Sequence, residues 1–441
     1  MPFTSYQMQA QGKCNGTLEV PGDKSISHRA IMLASLAQGV SEVKGFLPST
    51  DCEATLAAFQ SMGVKVERVS SSCLRINGVG LHGLQLPKND LDMGNSGTAM
   101  RLMAGVLCGQ KFASVLTGDE SLSARPMQRI QEPLLKMQAD ISMSPNGIPP
   151  LVINKLNNNI SQLVGINYQL PVASAQVKSC LLLAGLYAQG ETCVEEKAQT
   201  RDHTERMLQS FAYPIKIEQQ DNNKNICIQG GNALIATNIT IPADISSAAF
   251  FIVGALISKA SKLELKNIGI NPTRNGVIEI LRLMGADIEL KNEKMFGAEP
   301  VADVVVRSSK LKGIQIPTHL ISNAIDEFPI IFIAAACANG VTELSGAEEL
   351  RVKESDRIHN LAVGLSAVGI EVREKADGIK ITGGRIKGGE VDSGGDHRVA
   401  MSFAIASVAS EQAITILNTE NVATSFPEFV ASAKQVGLEF C

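Results

Sequence analysis

Bases, small hydroxyl residues and a few carboxylates recur along this chain in patterns that suit the handling of anions. Lys24 and Ser25, in Pro21-Gly-Asp-Lys-Ser25, stand at the expected start of a helix, with Arg29 about one turn inside it. Two fixed charges and a hydroxyl there can clamp an anion, because a helix N-terminus already offers free N–H groups and a positive dipole end. For that turn alone, a capped helix with two solvated bases fits equally well. Gly94-Asn-Ser-Gly-Thr-Ala-Met-Arg101 is a second small-residue turn followed by a base. It lacks the Gly-Lys-Ser/Thr ending of a phosphate loop and the spacing of a dinucleotide fingerprint. Arg125 of Ser123-Ala-Arg-Pro126 precedes a proline expected at a first helical position, and Arg201 of Thr200-Arg-Asp-His203 is placed alike.

The densest cluster is Arg351-Val-Lys-Glu-Ser-Asp-Arg357. A helix from about Lys353 would put Lys353 and Arg357 on one face at i, i+4, with Glu354 at i, i+3 to Arg357; a solvated charge array is the plain alternative. Arg398 of Asp396-His-Arg398 ends the series. Asp326 differs in kind, standing with Glu327 before the apolar Phe328-Pro-Ile-Ile-Phe-Ile-Ala-Ala-Ala336. It reads either as a helix cap or as a carboxylate at the rim of a cationic cleft that accepts a proton from a substrate hydroxyl. His203 and His397 read as caps. The six histidines make no His-x-x-x-His pair, so no metal site is expected. No Ser-His-Asp or Cys-His arrangement is legible.

The elements that must carry these residues repeat six times. Openings fall at Pro21-Gly-Asp-Lys-Ser25, Gly94-Asn-Ser-Gly-Thr98, Pro171-Val-Ala-Ser-Ala-Gln176, Pro242-Ala-Asp-Ile-Ser-Ser247, Asp326-Glu-Phe-Pro329 and Gly394-Gly-Asp-His-Arg398. Roughly 70 to 85 residues separate successive openings, a period that marks a repeat architecture. Each leads into an apolar helix expected in the interior, then a short strand and an amphipathic second helix. The second helix often stops at a Met-Gly or Val-Gly step, as at Gly63, Gly285, Gly369 and Gly437. The pattern predicts an α/β fold of six βαβαββ units in two domains of three. Residues 21–240 form the first domain, and 1–20 with 241–441 the second, the break falling near Asn238 to Pro242. Residues 1–20 read as a leftover strand that completes sheets of the second domain. Apart from the fourth unit, each is read as carrying a Lys or Arg at one of its helix starts.

Size and composition agree. A chain of 441 residues calls for two or three cores, and 44% hydrophobic with 19% charged residues describes an ordinary globular protein. There is no apolar run of 18 residues, so no membrane span is expected. A net charge of −4, no Trp and four Tyr argue against nucleic-acid binding. Nine scattered cysteines without a Cys-x-x-Cys pair fit reduced, mostly buried thiols in a cytoplasm.

Taken together, the openings resemble the 5-enolpyruvylshikimate-3-phosphate (EPSP) synthase family along the whole chain. The motifs that carry the resemblance are Pro-Gly-Asp-Lys-Ser-Ile-Ser-His-Arg29, Gly-Asn-Ser-Gly-Thr-Ala-Met-Arg101, Arg-Val-Lys-Glu-Ser-Asp-Arg357 and Gly-Asp-His-Arg398. The resemblance implies a two-domain inside-out α/β barrel that binds its substrates in the interdomain cleft. It implies transfer of the enolpyruvyl group of phosphoenolpyruvate to the 5-hydroxyl of shikimate 3-phosphate, with no metal or organic cofactor. It implies that Lys24, Ser25, Arg29, Ser174, Ala175, Gln176, Arg201, Asp326 and Lys353 hold shikimate 3-phosphate. Lys24, Gly97, Arg125, Gln176, Arg357 and Arg398 would hold phosphoenolpyruvate, with Asp326 as base and Glu354 and Lys24 as partners in protonating the enol carbon. Ala175, Arg201 and Thr424 stand where the better-known branch of the family has serine, tyrosine and lysine, features of a second bacterial class. A cytoplasmic monomer acting on these two small molecules is expected. The rival sister family uses a UDP-sugar acceptor and opens with Lys-Asn rather than Lys24-Ser25. A non-catalytic anion-binding scaffold is the rival of another class.

Overall fold

The computed structural model describes residues 4–155, 162–220 and 223–440. It divides into two compact units, each with its own hydrophobic core: Lys24–Ile241 with Phe296–Glu299, and Met1–Asp23, Pro242–Met295 and Pro300–Cys441.

One sheet pattern recurs. In the Lys24–Ile241 unit, Gln38–Lys44 lies between Ile239–Thr240 and Cys73–Val79, with Lys65–Ser70 outermost. The first pair is parallel and the other two antiparallel. The same order and directions recur in Leu91–Asp92, Ser114–Thr117, Leu151–Ile153 and Ile141–Ser142. They recur again in Asn167–Gln169, Glu191–Glu196, Asn223–Gln229 and Ile215–Gln220. In the other unit Gly16–Leu18 pairs parallel with Lys262–Gly269, and Ser5–Met8 pairs antiparallel with Ile414–Leu417. The first residues of the chain therefore fill positions in two sheets of that unit. The sheets are separate ribbons of two to four strands, and none closes on itself among the described residues. The turn of the polar hairpin at 219–225 includes residues 221 and 222, which lie outside the described residues.

Helices fill the interior. Ile245–Ile257 is buried from Ile245 to Leu256, and Phe328–Ala336 at every position. Each Ile or Phe so buried contributes about 1.5–3 kcal/mol. The second helices, such as Thr50–Ser61 and Gly276–Leu283, bury one face only. Side-chain caps set many of the starts. Ser49, Ser96, Ser174, Asp244, Asp356 and Asp396 each accept a hydrogen bond from a backbone N–H two or three residues on. The stops come at Gly63, Gly285, Gly369 and Gly437, whose φ values of +91°, +93°, +87° and +104° favour a residue without Cβ.

Several local expectations are corrected. The helix after Arg351 starts at Arg357, not near Lys353, because Asp356 caps it; Glu348–Val352 is a separate 3₁₀ turn. The caps beside His203 and His397 are not the imidazoles. Asp396 caps Arg398 N, whereas Asp202 makes no side-chain cap bond and His203 Nδ1 lies 2.8 Å from Glu299 Oε1. The thiols are not all reduced. Cys193 and Cys227 lie directly opposite each other on adjacent strands and form a disulfide, while six other described cysteines are free. Register brings these two together, and register cannot be read from cysteine spacing. Glu191 joins them in a tight group, but both sulfurs are taken up by the disulfide, so the group makes no case for a metal.

Candidate active site

In the Lys24–Ile241 unit, Lys24 opens the helix Lys24–Leu36 and its ammonium pairs with Asp51, in the first turn of the next helix. Ser25 beside it is half-buried. Arg29 turns inward and is only 4% exposed. Its Nε donates to Thr204 Oγ1 at 2.7 Å, Nη1 to the Ser25 carbonyl at 2.9 Å and Nη2 to Ser179 Oγ at 2.8 Å. In this arrangement Arg29 cross-links three helices from within.

A second group surrounds Gly97, first residue of the helix Gly97–Leu107. A Cβ at Gly97 would stand 2.8 Å from Arg101 Nη1 and 3.3 Å from Arg125 Nη1, so two guanidiniums crowd this helix start. Arg101 donates to Gln176 Oε1 at 2.6 Å and to the Pro126 carbonyl at 3.0 Å, while Gln176 Nε2 donates to Thr98 Oγ1 at 3.0 Å. Arg125 Nη2 donates to Asn95 Oδ1 at 2.7 Å. Gln176 lies in the first turn of Ala175–Gly185, which Ser174 caps. The structure thus brings Gly97, Arg125 and Gln176 together and adds Arg101, to which the sequence reading gave no role.

Arg201 is half-buried just before the helix His203–Ser210. The preceding Thr200 donates to Glu196 Oε2 at 2.6 Å, and Glu196 pairs at 2.9 Å with Lys178, which is fully buried. Glu205 is 2.7 Å from the same ammonium. Burial alone would lower the Lys178 pKa, but Glu205 and Glu196 hold it above its ordinary value. This network anchors the segment that carries Arg201 to the helix that carries Gln176.

In the other unit, Asp326 is the hub. Its carboxylate lies 3.6 Å from Arg357 Nη1, 3.8 Å from Lys353 Nζ and 4.0 Å from Arg274 Nη1, and its carbonyl accepts from Arg398 Nη1 at 3.0 Å. It does not cap the following helix; Glu327 occupies that place and makes no cap bond. Arg357, 1% exposed, donates to Asp396 Oδ2 at 2.8 Å and to Glu354 Oε2 at 2.6 Å, so the i, i+3 contact forms without the helix expected to carry it. Burial would raise the Asp396 carboxyl, but Arg357 and then His397 hold it below the ordinary range. Thr424, one of the divergent positions, donates to the Asn421 carbonyl at 2.7 Å.

Arg274 corrects the reading that the fourth unit carries no base. It lies just before the second helix of that unit, Gly276–Leu283, and is 3% exposed. The signal was Asn271-Pro-Thr-Arg274, an arginine just ahead of a helix. Asp23, Asp244 and Glu327, which surround it, looked like turn and cap residues in sequence.

Recurring sheets, with fixed cations beside helix starts and the Asp326 carboxylate held among bases, make an α/β scaffold suited to anionic ligands. A model of the EPSP synthase (3-phosphoshikimate 1-carboxyvinyltransferase) family matches residues 8–432. The chain is 58% identical over 428 residues to the 3-phosphoshikimate 1-carboxyvinyltransferase of Methylococcus capsulatus, covering 97% of this chain and 96% of that one. It is 55% identical to that of Hydrogenovibrio crunogenus, covering 98% and 97%. The solved EPSP synthase of Acinetobacter baumannii superposes with a TM-score of 0.87 at 50% identity over 100% of both chains. The enolpyruvyl transferase NikO of Streptomyces tendae, 13% identical with a TM-score of 0.77, shares the fold. The chain belongs to the EPSP synthase family and is an enzyme of that transferase class.

Proposed function

We propose that the chain moves the enolpyruvyl group of phosphoenolpyruvate onto the 5-hydroxyl of shikimate 3-phosphate with the residues described above in distinct roles. Asp326 takes the proton of the 5-hydroxyl as its oxygen bonds to C2 of phosphoenolpyruvate. Glu354 and Lys24 deliver a proton to the enol methylene carbon, giving a tetrahedral intermediate. Loss of phosphate and of that methyl proton then yields the enolpyruvyl ether. Lys24, Ser25, Arg29, Ser174, Ala175, Gln176, Arg201, Asp326 and Lys353 hold shikimate 3-phosphate, and Arg29 also fixes the helix that carries the first two. Lys24, Gly97, Arg125, Gln176, Arg357 and Arg398 hold phosphoenolpyruvate.

The observation that carries this reading is Asp326 within 4.0 Å of three cations. Opposite charges at that range favour the ionised form, which a base requires. Guanidiniums and an ammonium fixed in advance also stabilise the charge that builds up in the transition state without reorganising. No cofactor enters any step. One chain supplies every residue named, so we take the enzyme to act as a monomer. Among the described residues six of eight cysteines are free thiols, which supports a cytoplasmic setting although Cys193 and Cys227 are joined. Among the described residues no single helix is long and apolar enough to cross a membrane.

The test is phosphate release from phosphoenolpyruvate with two acceptors. Shikimate 3-phosphate should support turnover and UDP-N-acetylglucosamine should not. Release with the UDP-sugar alone would assign the chain to the sister reaction, and binding without release to either acceptor would make it a non-catalytic scaffold.

A further inference from the structure

Arg274 is a buried guanidinium ringed by four carboxylates, and the steps above leave it without a role. Its Nη2 donates to Ser246 Oγ at 2.7 Å and lies 3.5 Å from Glu327, 3.6 Å from Asp244 and 4.0 Å from Asp23, while Nη1 lies 4.0 Å from Asp326. Among the described residues Nε and Nη1 find no hydrogen-bond acceptor, although the residue is 3% exposed. The turn that presents it is itself fixed: Asn271 accepts from Thr273 N at 2.9 Å, and its carbonyl from Arg274 N at 2.8 Å. Asn323, three residues before Asp326, donates to the Pro272 carbonyl of the same turn at 3.3 Å. The segment bearing Asp326 is therefore tied to the Arg274 turn through the chain as well as through charge.

Resting on the reading above, we propose that Arg274 is a positioning residue for the transfer, holding the Asp326 carboxylate in place and ionised from a buried position. A surface ion pair would do neither well, since solvent screening leaves it little directional force. A buried cation facing several carboxylates is different, because none of the charges can relax into water. Glu327, Asp23 and Asp244 share the cation and keep it from collapsing onto Asp326, which lies at the longest range together with Asp23. Asp326 also faces Lys353 and Arg357, with Arg398 on its carbonyl, so the loss of Arg274 leaves it paired but less constrained. Burial drives the Asp244 carboxyl up to about 7, with Asp23 adding to the rise, which accords with more negative charge in this ring than one guanidinium can neutralise.

The test compares wild type, Arg274→Gln, Arg274→Lys and the charge-balanced Arg274→Gln/Glu327→Gln, assayed for phosphate release with shikimate 3-phosphate. Displacing a reacting group by about 1 Å costs roughly 10²-fold, so kcat should fall about 100-fold in Arg274→Gln while KM for shikimate 3-phosphate changes little. With a cation removed, the acid limb of the kcat profile should move to higher pH. Arg274→Lys should restore the limb and only part of kcat, because an ammonium keeps the charge but not the fork. If Arg274→Gln does not fold, the charge-balanced pair carries the same kcat prediction, with a smaller shift of the acid limb because a neighbouring carboxylate goes with the cation. A kcat within threefold of wild type and an unmoved acid limb, in whichever of the two glutamine variants folds, would overturn the proposal even if Tm drops. Wild type inactive with shikimate 3-phosphate would instead overturn the functional reading.

Discussion

At the scale of single residues, function turns on how a carboxylate and a glycine are surrounded. Asp326→Ala should lower kcat by roughly 10²–10⁴-fold, the contribution of a positioned base. The fold should persist, because Asp23, Asp244 and Glu327 still neutralise Arg274. Steady-state turnover with a parallel circular dichroism melt checks both statements, and near-normal kcat would remove Asp326 from the mechanism. Gly97→Ala should raise KM for phosphoenolpyruvate, the substrate proposed to sit beside it. Its methyl group would enter at 2.8 Å from Arg101 and 3.3 Å from Arg125, so those guanidiniums must give way and the room beside them shrinks. An unchanged KM would place that substrate elsewhere. Much of this scale was legible in sequence, because bases beside small-residue turns are visible as types and spacings. Arg274 was not, because its partners Asp23, Asp244, Asp326 and Glu327 come from three distant stretches, and only the fold makes them neighbours. Arg29 was legible as a base but not as a cross-link, since Ser179 and Thr204 reach it from other helices.

At the scale of elements, the spacing of two helices sets the patch around Gln176. Gly105 lies in the helix Gly97–Leu107, and a Cβ there would fall 2.2 Å from the Cys180 carbonyl of Ala175–Gly185. Backbone cannot yield as a side-chain tip does. Gly105→Ala should therefore cost about 1–3 kcal/mol of stability by overpacking, read by urea denaturation. It should also weaken the Arg101–Gln176–Thr98 chain of hydrogen bonds that spans the same two helices. Helix interiors and stops were readable, because unbroken apolar runs and terminal glycines have direct physical causes. The start at Arg357 was not, because Asp356 rather than charge periodicity decides it. The Cys193–Cys227 disulfide stayed hidden for a similar reason, since strand register leaves little trace in a single sequence.

At the scale of the whole molecule, buried charge makes stability depend on pH. The Asp244 carboxyl, raised to about 7 by burial and by Asp23, binds a proton in the folded chain that an unfolded aspartate releases near 4. Its contribution is therefore fully present below about pH 4 and is lost as pH rises through about 7. Asp396, held low by Arg357 against the effect of burial, acts in the opposite sense and costs stability in acid. Asp244→Asn keeps an acceptor for Ser246 N and removes the first effect only. Its Tm should exceed that of wild type at pH 8 and approach it at pH 5, and an equal difference at both values would refute the assignment.

The pairing of Ser5–Met8 with Ile414–Leu417 has a consequence for how the chain is made. Ser5–Met8 meets its partner only after about four hundred further residues have been added, which at roughly 5–20 residues per second is a wait of roughly 20–80 s. The Lys24–Ile241 unit closes its first sheet with Ile239–Thr240 and can mature while synthesis continues. Until Ile414–Leu417 has been made, Ser5–Met8 lacks that strand partner, and chaperones that shield such edges should be found on it during that interval.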